Sequence, residues 1–406
     1  MKRVVVTGMG IWSCIGQNLK TVTESLRQGR SGIIFNPKRI EYGLHSGLVG
    51  NVPRPDLKPL LPRKFRATMS EDAEYAYMAA RQAFEQARMS DDYLRENEVG
   101  ISFGNDGNSH ILDYLPMMEE EHDSLMISPN ALFQGETSSV TMNLSAIFHI
   151  KGINMCIGAA CASSSHAIGM GALLIRQGLQ EVILVGGSCG VDMRGVAATD
   201  ALEAVSRRND DPTGASRPFD KNRDGMIPSG GAAALVLEEY EHAVARGANI
   251  LAEVIGYGFS SNGLEEISMP SADGENIAMQ RALKDAGLQP SDIDYVNAHG
   301  TSTIIGDNEE AKALTRLFDG VKCPYISSTK SMTGHENWMA GASEAVYSIL
   351  MMQNDFVAPN INLENVIDEA KDLNIVRETI YTPINTVLSN SSGMGGTNSA
   401  LVFRKV

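Results

Sequence analysis

The chain reads as an α/β protein made of two related halves, and three observations predict it. Apolar runs of strand length alternate with helix-length segments along all 406 residues, the pattern of largely parallel sheets buried by helices. A helix–loop–strand–glycine unit occurs twice. It runs Ala83-Phe-Glu-Gln-Ala87, Ser90-Asp91, Val99-Gly-Ile-Ser-Phe-Gly104, and again Ala282-Leu-Lys-Asp-Ala286, Ser291-Asp292, Tyr295-Val-Asn-Ala-His-Gly300. The strand Glu181-Val-Ile-Leu-Val-Gly-Gly187 is likewise echoed by Thr386-Val-Leu-Ser-Asn-Ser391. An order that persists through a loop and a glycine argues for duplication, with halves 1–250 and 251–406 meeting near Asn249 to Tyr257.

Taken in order, Val4 to Thr7 forms the first strand, and Gly8-Met-Gly10 reads as a tight strand–helix turn. A dinucleotide fingerprint fails there, because Ser13 stands where its third glycine belongs. Residues 35 to 62 form an irregular surface excursion rich in Gly, Pro and basic side chains. A helix is predicted from Ser70 to Arg88, with Ser70 as N-cap and Glu71 and Asp72 in its first turn. The strand Val99 to Phe103 follows, then an insertion with short helices over residues 105 to 135, carrying the acidic run Glu119-Glu-Glu121. Ile153 to Ile157 reads as a buried strand and Ala162 to Gln177 as a helix.

Composition limits the function. Hydrophobic residues make up 43% and charged residues 20%, ordinary for a soluble globular enzyme. A net charge of -15 argues against wholesale nucleic-acid binding. Five cysteines without zinc-type spacing suit free thiols in a reducing compartment. No signal-peptide core and no apolar stretch of membrane-spanning length is evident, so a cytoplasmic protein is expected.

The chemistry centres on Cys161, which sits where the strand ending at Ile157 hands over to a helix N-terminus. Free N–H groups and the helix dipole there should ease ionisation of the thiol. Three glycine-containing loops follow strands elsewhere: Asn297-Ala-His299-Gly-Thr-Ser-Thr303, Ser327-Ser-Thr-Lys330-Ser-Met-Thr-Gly-His335 before the helix Ala340 to Met352, and Ser389-Asn-Ser-Ser-Gly-Met-Gly-Gly-Thr-Asn398. A helix-end thiol, two loop imidazoles and an ammonium form the nucleophile and polarising set that acyl transfer requires.

These stretches resemble a known family. Gly158-Ala-Ala-Cys161-Ala-Ser-Ser, Ala298-His299-Gly-Thr-Ser-Thr and Thr329-Lys330-Ser-Met-Thr-Gly-His335 are similar to the three signature motifs of beta-ketoacyl-acyl-carrier-protein synthases. The likeness extends through Ala215-Ser-Arg-Pro-Phe-Asp-Lys-Asn-Arg-Asp-Gly225 and Asn390-Ser391…Gly395-Gly-Thr-Asn398. It implies a thiolase-like fold, two duplicated halves in a five-layered αβαβα arrangement. The implied reaction joins an acyl chain on Cys161 to malonyl-acyl-carrier protein by decarboxylative condensation, with no metal and no organic cofactor. Acyl carrier protein and malonyl and acyl thioesters are the implied partners, and the chain is expected as a homodimer or as a heterodimer with a related subunit. The resemblance places the N–H groups of Cys161 and Ser392 in an oxyanion hole and gives His299 and His335 the malonyl thioester carbonyl. It also pairs Lys330 with Glu344 and suggests carrier docking at Lys64, Arg66, Arg207 and Arg208.

The chain departs from that pattern beside the site. Ser392 and Met394 stand where the family's gating loop carries Phe, and Asn337-Trp338-Met339 replaces a run of small residues, so Ser392, Met394, Trp338 and Met339 are expected to shape the gate and pocket. Such departures fit a specialised ketosynthase of fatty-acid, polyene or polyketide-type elongation. A non-catalytic chain-length-type partner subunit is the alternative, although such subunits usually lack the nucleophile. A thiolase would carry a second Cys within Ser389 to Asn398, where this chain has none.

Overall fold

A computed structural model describes residues 1–107 and 114–406; part of the insertion expected over 105–135 lies outside them. Ten strands form one sheet: β1 (Val4–Trp12), β2 (Gly100–Gly104), β3 (Asn154–Ile157), β4 (Val182–Cys189), β5 (Gly231–Glu239), β6 (Ala252–Ser261), β7 (Tyr295–Asn297), β8 (Tyr325–Ser327), β9 (Thr386–Gly393) and β10 (Thr397–Arg404). Their order is β8-β7-β9-β10-β6-β1-β5-β4-β2-β3. The middle junction is short, with Val5 opposite Glu253 and Val6 opposite Ala252, so two five-stranded sets meet edge to edge.

The two sets repeat one another. In the first, β3, β2 and β4 run parallel, while β5 and β1 follow antiparallel. In the second, β8, β7 and β9 run parallel, and β10 and β6 follow antiparallel. The sheets are therefore mixed, where the sequence predicts largely parallel ones. The antiparallel members share the apolar composition of the rest because both faces of each sheet are covered, and β5 is buried at all nine positions.

Six helices complete the repeat: α1 (Glu71–Gln86), α2 (Ser139–Phe148), α3 (Ser163–Arg176), α4 (Ala272–Ala286), α5 (Ile304–Leu317) and α6 (Ala340–Gln353). α1 and α2 cover one outer face, α4 and α5 the other, and α3 packs on α6 between the sheets, which makes five layers. Every residue from Ala340 to Met352 is buried, as a helix apolar all round requires. Ser70 caps α1, its hydroxyl accepting from the N–H of Ala73.

The turn expected at Gly8 and Gly10 is absent. β1 continues through both to Trp12, because the glycines serve close packing. A side chain on Gly8 would come within 2.1 Å of the Ala83 carbonyl oxygen, and one on Gly10 within 1.9 Å of that of Ala79. α1 therefore lies directly on the β1 backbone, which its alanines Ala79 and Ala83 permit. The expected excursion after residue 35 contains a helix, Pro37–Tyr42, and a small hairpin, Ile33–Phe35 with Leu48–Gly50. The insertion carries Leu115–Glu121 and Ala131–Gly135 as short helices.

Candidate active site

Equivalent places in the two halves supply the reactive groups. β3 ends at Ile157, a tight turn over Ala160–Ala162 follows, and α3 begins at Ser163. Ala160 takes φ 46, a left-handed conformation that costs a non-glycine residue energy and that recurs at functional sites. Asp106 holds this turn by accepting the Ala160 N–H at 2.6 Å. In the second half, His299 follows β7, and Lys330 opens a helical turn after β8 that ends at Gly334, just before His335.

These loops converge. Cys161, His299 and His335 present ligand-type atoms all within 4.8 Å of one another. His335 Nε2 lies 3.0 Å from Cys161 Sγ, and the two imidazoles meet edge to face with centroids 5.3 Å apart. Each ring is held through its other nitrogen. The Asn337 N–H donates to His335 Nδ1 at 3.2 Å, and Lys330 Nζ sits 3.3 Å from His299 Nδ1. Lys330 also donates to Glu344 Oε1, an ion pair in which both side chains are 1% exposed. Burial, with the Lys330 charge behind it, holds both imidazoles well below the usual histidine range. Both are neutral, with Nδ1 accepting, so each directs an Nε2–H outward as a donor.

Two sequence expectations change here, those for the Cys161 thiol and for Met339. The Cys161 thiol is not eased toward ionisation: burial pushes it up to about 11, while the Met394 N–H and the Lys330 charge only partly offset that. Desolvation of the sulfur outweighs the helix terminus. The Met394 N–H is also set against the sulfur, beside the Ser392 N–H that the resemblance assigns to the oxyanion hole. Ser392 is fixed in the ladder opposite Asn398, whereas Met394 lies in the turn that Gly396 closes onto Gly393. Met339 does not line the pocket. It is fully buried in the core, because Asn337–Met339 forms a tight turn that sends Trp338 and Met339 to opposite sides.

Trp338, Ser392 and Met394 do line a cavity of about 580 Å³ with Cys161, His299 and His335. Trp338 also bounds a second cavity of about 270 Å³ with Gly107, Val196 and Thr199. The indole lies so close over Gly107 that a side chain there would meet it at 2.9 Å.

Sequence reasoning passed over Glu310 and Asp307. Glu310 accepts the N–H groups of His299 and Gly300, both at 2.6 Å, and the Asn390 amide at 2.9 Å. Asp307 accepts the N–H groups of Thr301, Ser302 and Phe219. The signal was present: two carboxylates three residues apart on the helix that follows the His299 loop. Of the expected docking residues, Lys64 is exposed and Arg66 donates to the Leu61 carbonyl. Arg207 pairs with Glu203 at 3.1 Å, and Arg208 donates to the Asn222 carbonyl. The Cys161, His299 and His335 atoms are also of a type that binds zinc, but the Lys330 ammonium beside His299 opposes a dication.

A thiol flanked by two neutral imidazole donors, on a duplicated five-layered fold, defines a thiolase-like condensing enzyme. The chain belongs to the beta-ketoacyl synthase family: the N-terminal domain of that family matches residues 1–243 and the C-terminal domain residues 251–364. It is 41% identical to the 3-oxoacyl-[acyl-carrier-protein] synthase 1 of Haemophilus influenzae, over 100% of this chain and 99% of that one. A crystal structure of a beta-ketoacyl synthase from Burkholderia phymatum superposes with a TM-score of 0.95 at 37% identity, covering both chains completely. A type II PKS ketosynthase bound to its acyl-carrier protein and the hexaketide superposes at 0.88 with 28% identity, over 100% of this chain and 99% of that one. Among the described residues no helix is long and apolar enough to cross a membrane.

Proposed function

We propose that this chain condenses an acyl group held on Cys161 with malonyl-acyl-carrier protein, giving 3-oxoacyl-acyl-carrier protein in fatty-acid-type elongation. The observation that carries the reading is the convergence of Cys161 Sγ with two imidazoles whose Nδ1 atoms are already engaged. Residues 1–250 supply the nucleophile and residues 251–406 the two histidines.

Cys161 sulfur attacks the acyl thioester carbonyl, its proton passes to the departing carrier sulfur, and the oxyanion points at the N–H groups of Cys161 and Met394. Malonyl thioester then places its carbonyl oxygen between the Nε2–H groups of His299 and His335. The bond to the carboxylate breaks, carbon dioxide leaves, and the electron pair moves onto that oxygen as an enolate which the two donors stabilise. The enolate carbon attacks the acyl-Cys161 carbonyl and expels the thiolate. Lys330, neutralised by Glu344, keeps His299 neutral and oriented. The reaction needs no metal or organic cofactor.

Acyl carrier protein is the proposed partner, supported by the carrier complex of the ketosynthase relative. Lys64 is the better docking candidate, since Arg207 and Arg208 already spend their charge within the chain. The half-exposed edge strand β3 is where a second copy, or a related subunit, would pair. Ser392, Met394 and Trp338 favour a specialised acyl chain, of polyene or polyketide type. A purely non-catalytic partner role is disfavoured by the intact Cys161, His299 and His335 set. Incubation with acyl-carrier thioester should add one acyl mass to Cys161, and labelled malonyl-carrier protein should release labelled carbon dioxide. A chain that does neither is not a condensing enzyme.

A further inference from the structure

Side-chain hydrogen bonds pin the hairpin that carries Met394 from its β10 side. On the β10 side, the Asn262 N–H donates to the Gly396 carbonyl at 2.8 Å, and the Asn398 amide donates to Asn262 Oδ1 at 2.8 Å and to Ser260 Oγ at 3.2 Å. On the β9 side, the Ser392 hydroxyl lies against the carboxyl of Glu275 in the first turn of α4. It is close enough to favour the ionised carboxyl but outside hydrogen-bond geometry: Ser392 Oγ and Glu275 Oε2 are both buried, and among the described residues neither has a partner. Glu275 is 3% exposed and lines the same cavity as Cys161.

Two buried polar groups facing each other without a bond are costly to hold apart. Among the described residues nothing lies within 4 Å of a side chain built on Gly395, and Gly395 and Gly396 take φ of 91 and 86, so the tip of the turn has backbone freedom to shift. Glu310, the neighbouring carboxyl, already receives three N–H donors. Glu275 itself, desolvated and next to Glu310, is held well above the usual carboxyl range. Such a carboxyl can accept from the Ser392 hydroxyl and, when protonated, donate to it.

We infer that Glu275 is a positioning residue of this site: Ser392 and Glu275 close into a hydrogen bond that draws the Gly393–Gly396 turn inward and sets the Met394 N–H against the reacting carbonyl oxygen. Ser392 is too small to gate by bulk, and the polar contact does in this chain what an apolar side chain does by filling space. The inference rests on the acyl-transfer reading of Cys161.

Glu275→Ala and Ser392→Ala should each slow acyl transfer to Cys161 about tenfold, short of the roughly 10²–10³ that follows outright loss of an oxyanion donor. The double variant should be no slower than either single one, because both break the same contact. Glu275→Gln, which still accepts from Ser392, should restore the wild-type rate. If the alanine variants do not fold, Glu275→Gln against Glu275→Met makes the same comparison at constant size. A second readout is the pH profile of Cys161 alkylation by iodoacetamide, followed by peptide mass spectrometry. Its apparent pKa should be higher in the alanine variants than in wild type and Glu275→Gln. Unchanged rates and profiles, or a double variant whose loss is the product of the single losses, overturn the latch. A wild-type chain that takes up no acyl group refutes the acyl-transfer reading instead, and the alkylation profile then decides the latch alone.

Discussion

His335 Nε2 lies 3.0 Å from Cys161 Sγ, yet it is placed to donate to that sulfur rather than to take its proton. The Asn337 N–H occupies Nδ1 as a donor, which leaves the imidazole proton on Nε2. A base for the thiol would need that nitrogen empty. The same constraint governs His299 through Lys330, so both rings suit the stabilisation of negative oxygen and neither suits thiol activation.

His299→Ala and His335→Ala should therefore each lower malonyl decarboxylation by about 10²–10³ while Cys161 still becomes acylated. Acylation is followed by intact mass and decarboxylation by carbon dioxide release. Equal loss of both steps in a folded variant would contradict this division.

Because burial raises the Cys161 thiol to about 11, alkylation of Cys161 should quicken about tenfold per pH unit between pH 7 and 10, tracking the thiolate fraction. A plateau near pH 7 would show an activated thiol instead. Cys161→Ala should abolish condensation, whereas replacing Cys14, Cys156, Cys189 or Cys323 should leave turnover intact, since none of them lines the cavity with His299 and His335.

That thiol marks where legibility in the sequence ends. The duplicated order of strands and the Cys161, His299 and His335 loops could be read from residue patterns, because strand ends and glycine turns are local features. The continuation of β1 through Gly8 and Gly10 could not, since it depends on how closely α1 approaches a distant backbone. The Cys161 pKa escaped for a related reason: a helix terminus is visible in one segment, but the burial that outweighs it is built by loops from both halves. Which backbone N–H of the Ser392 to Met394 stretch comes near the sulfur likewise depends on how the hairpin turns, which the sequence alone does not specify.

Glu336 predicts a pH dependence of stability. Its carboxyl is buried, accepts from Ser343 and Tyr347 at 2.5 and 2.9 Å, and is pushed up from 4.5 to about 7, first by burial. The folded chain keeps a proton that the unfolded chain releases, so stability should fall as pH rises from about 4.5 to 7. The slope from this group is about 1.4 kcal/mol per pH unit at most. In Glu336→Gln that part of the fall should disappear. Denaturant titrations at pH 5, 6, 7 and 8 give the difference, and parallel curves for the two proteins would refute it.

Assembly is tested by sedimentation at micromolar concentration. A protomer of 43.7 kDa should sediment at about twice that mass if β3 pairs with its counterpart, since an exposed strand edge carries unsatisfied backbone groups. Asn154→Pro in β3 removes a donor from that edge, because residues 153, 155 and 157 turn toward β2, and should shift the population toward monomer. A fully active monomer would contradict the arrangement.

Trp338 sets the last prediction. Its indole lies over Gly107 and lines both the 580 Å³ cavity at Cys161 and the adjoining 270 Å³ cavity that reaches Cys189 and Val196. A large side chain on that wall limits the room for an acyl chain attached to Cys161. Trp338→Gly removes the wall, so the preferred acyl group should lengthen or the range should broaden. Among the described residues the indole N–H has no partner, so little hydrogen bonding is lost with it, although removing a large, partly buried ring costs stability, less than the roughly 3–5 kcal/mol of a fully buried one. Trp338→Leu, which keeps part of the packing, should move the preference in the same direction by less. Ser392→Phe should oppose both, because the ring would have to fit beside the Glu275 carboxyl, and turnover should fall for bulky acyl groups first. Steady-state rates over a series of acyl-carrier substrates of increasing length decide it: an unchanged order of preference in all three variants would mean that this wall does not select the chain.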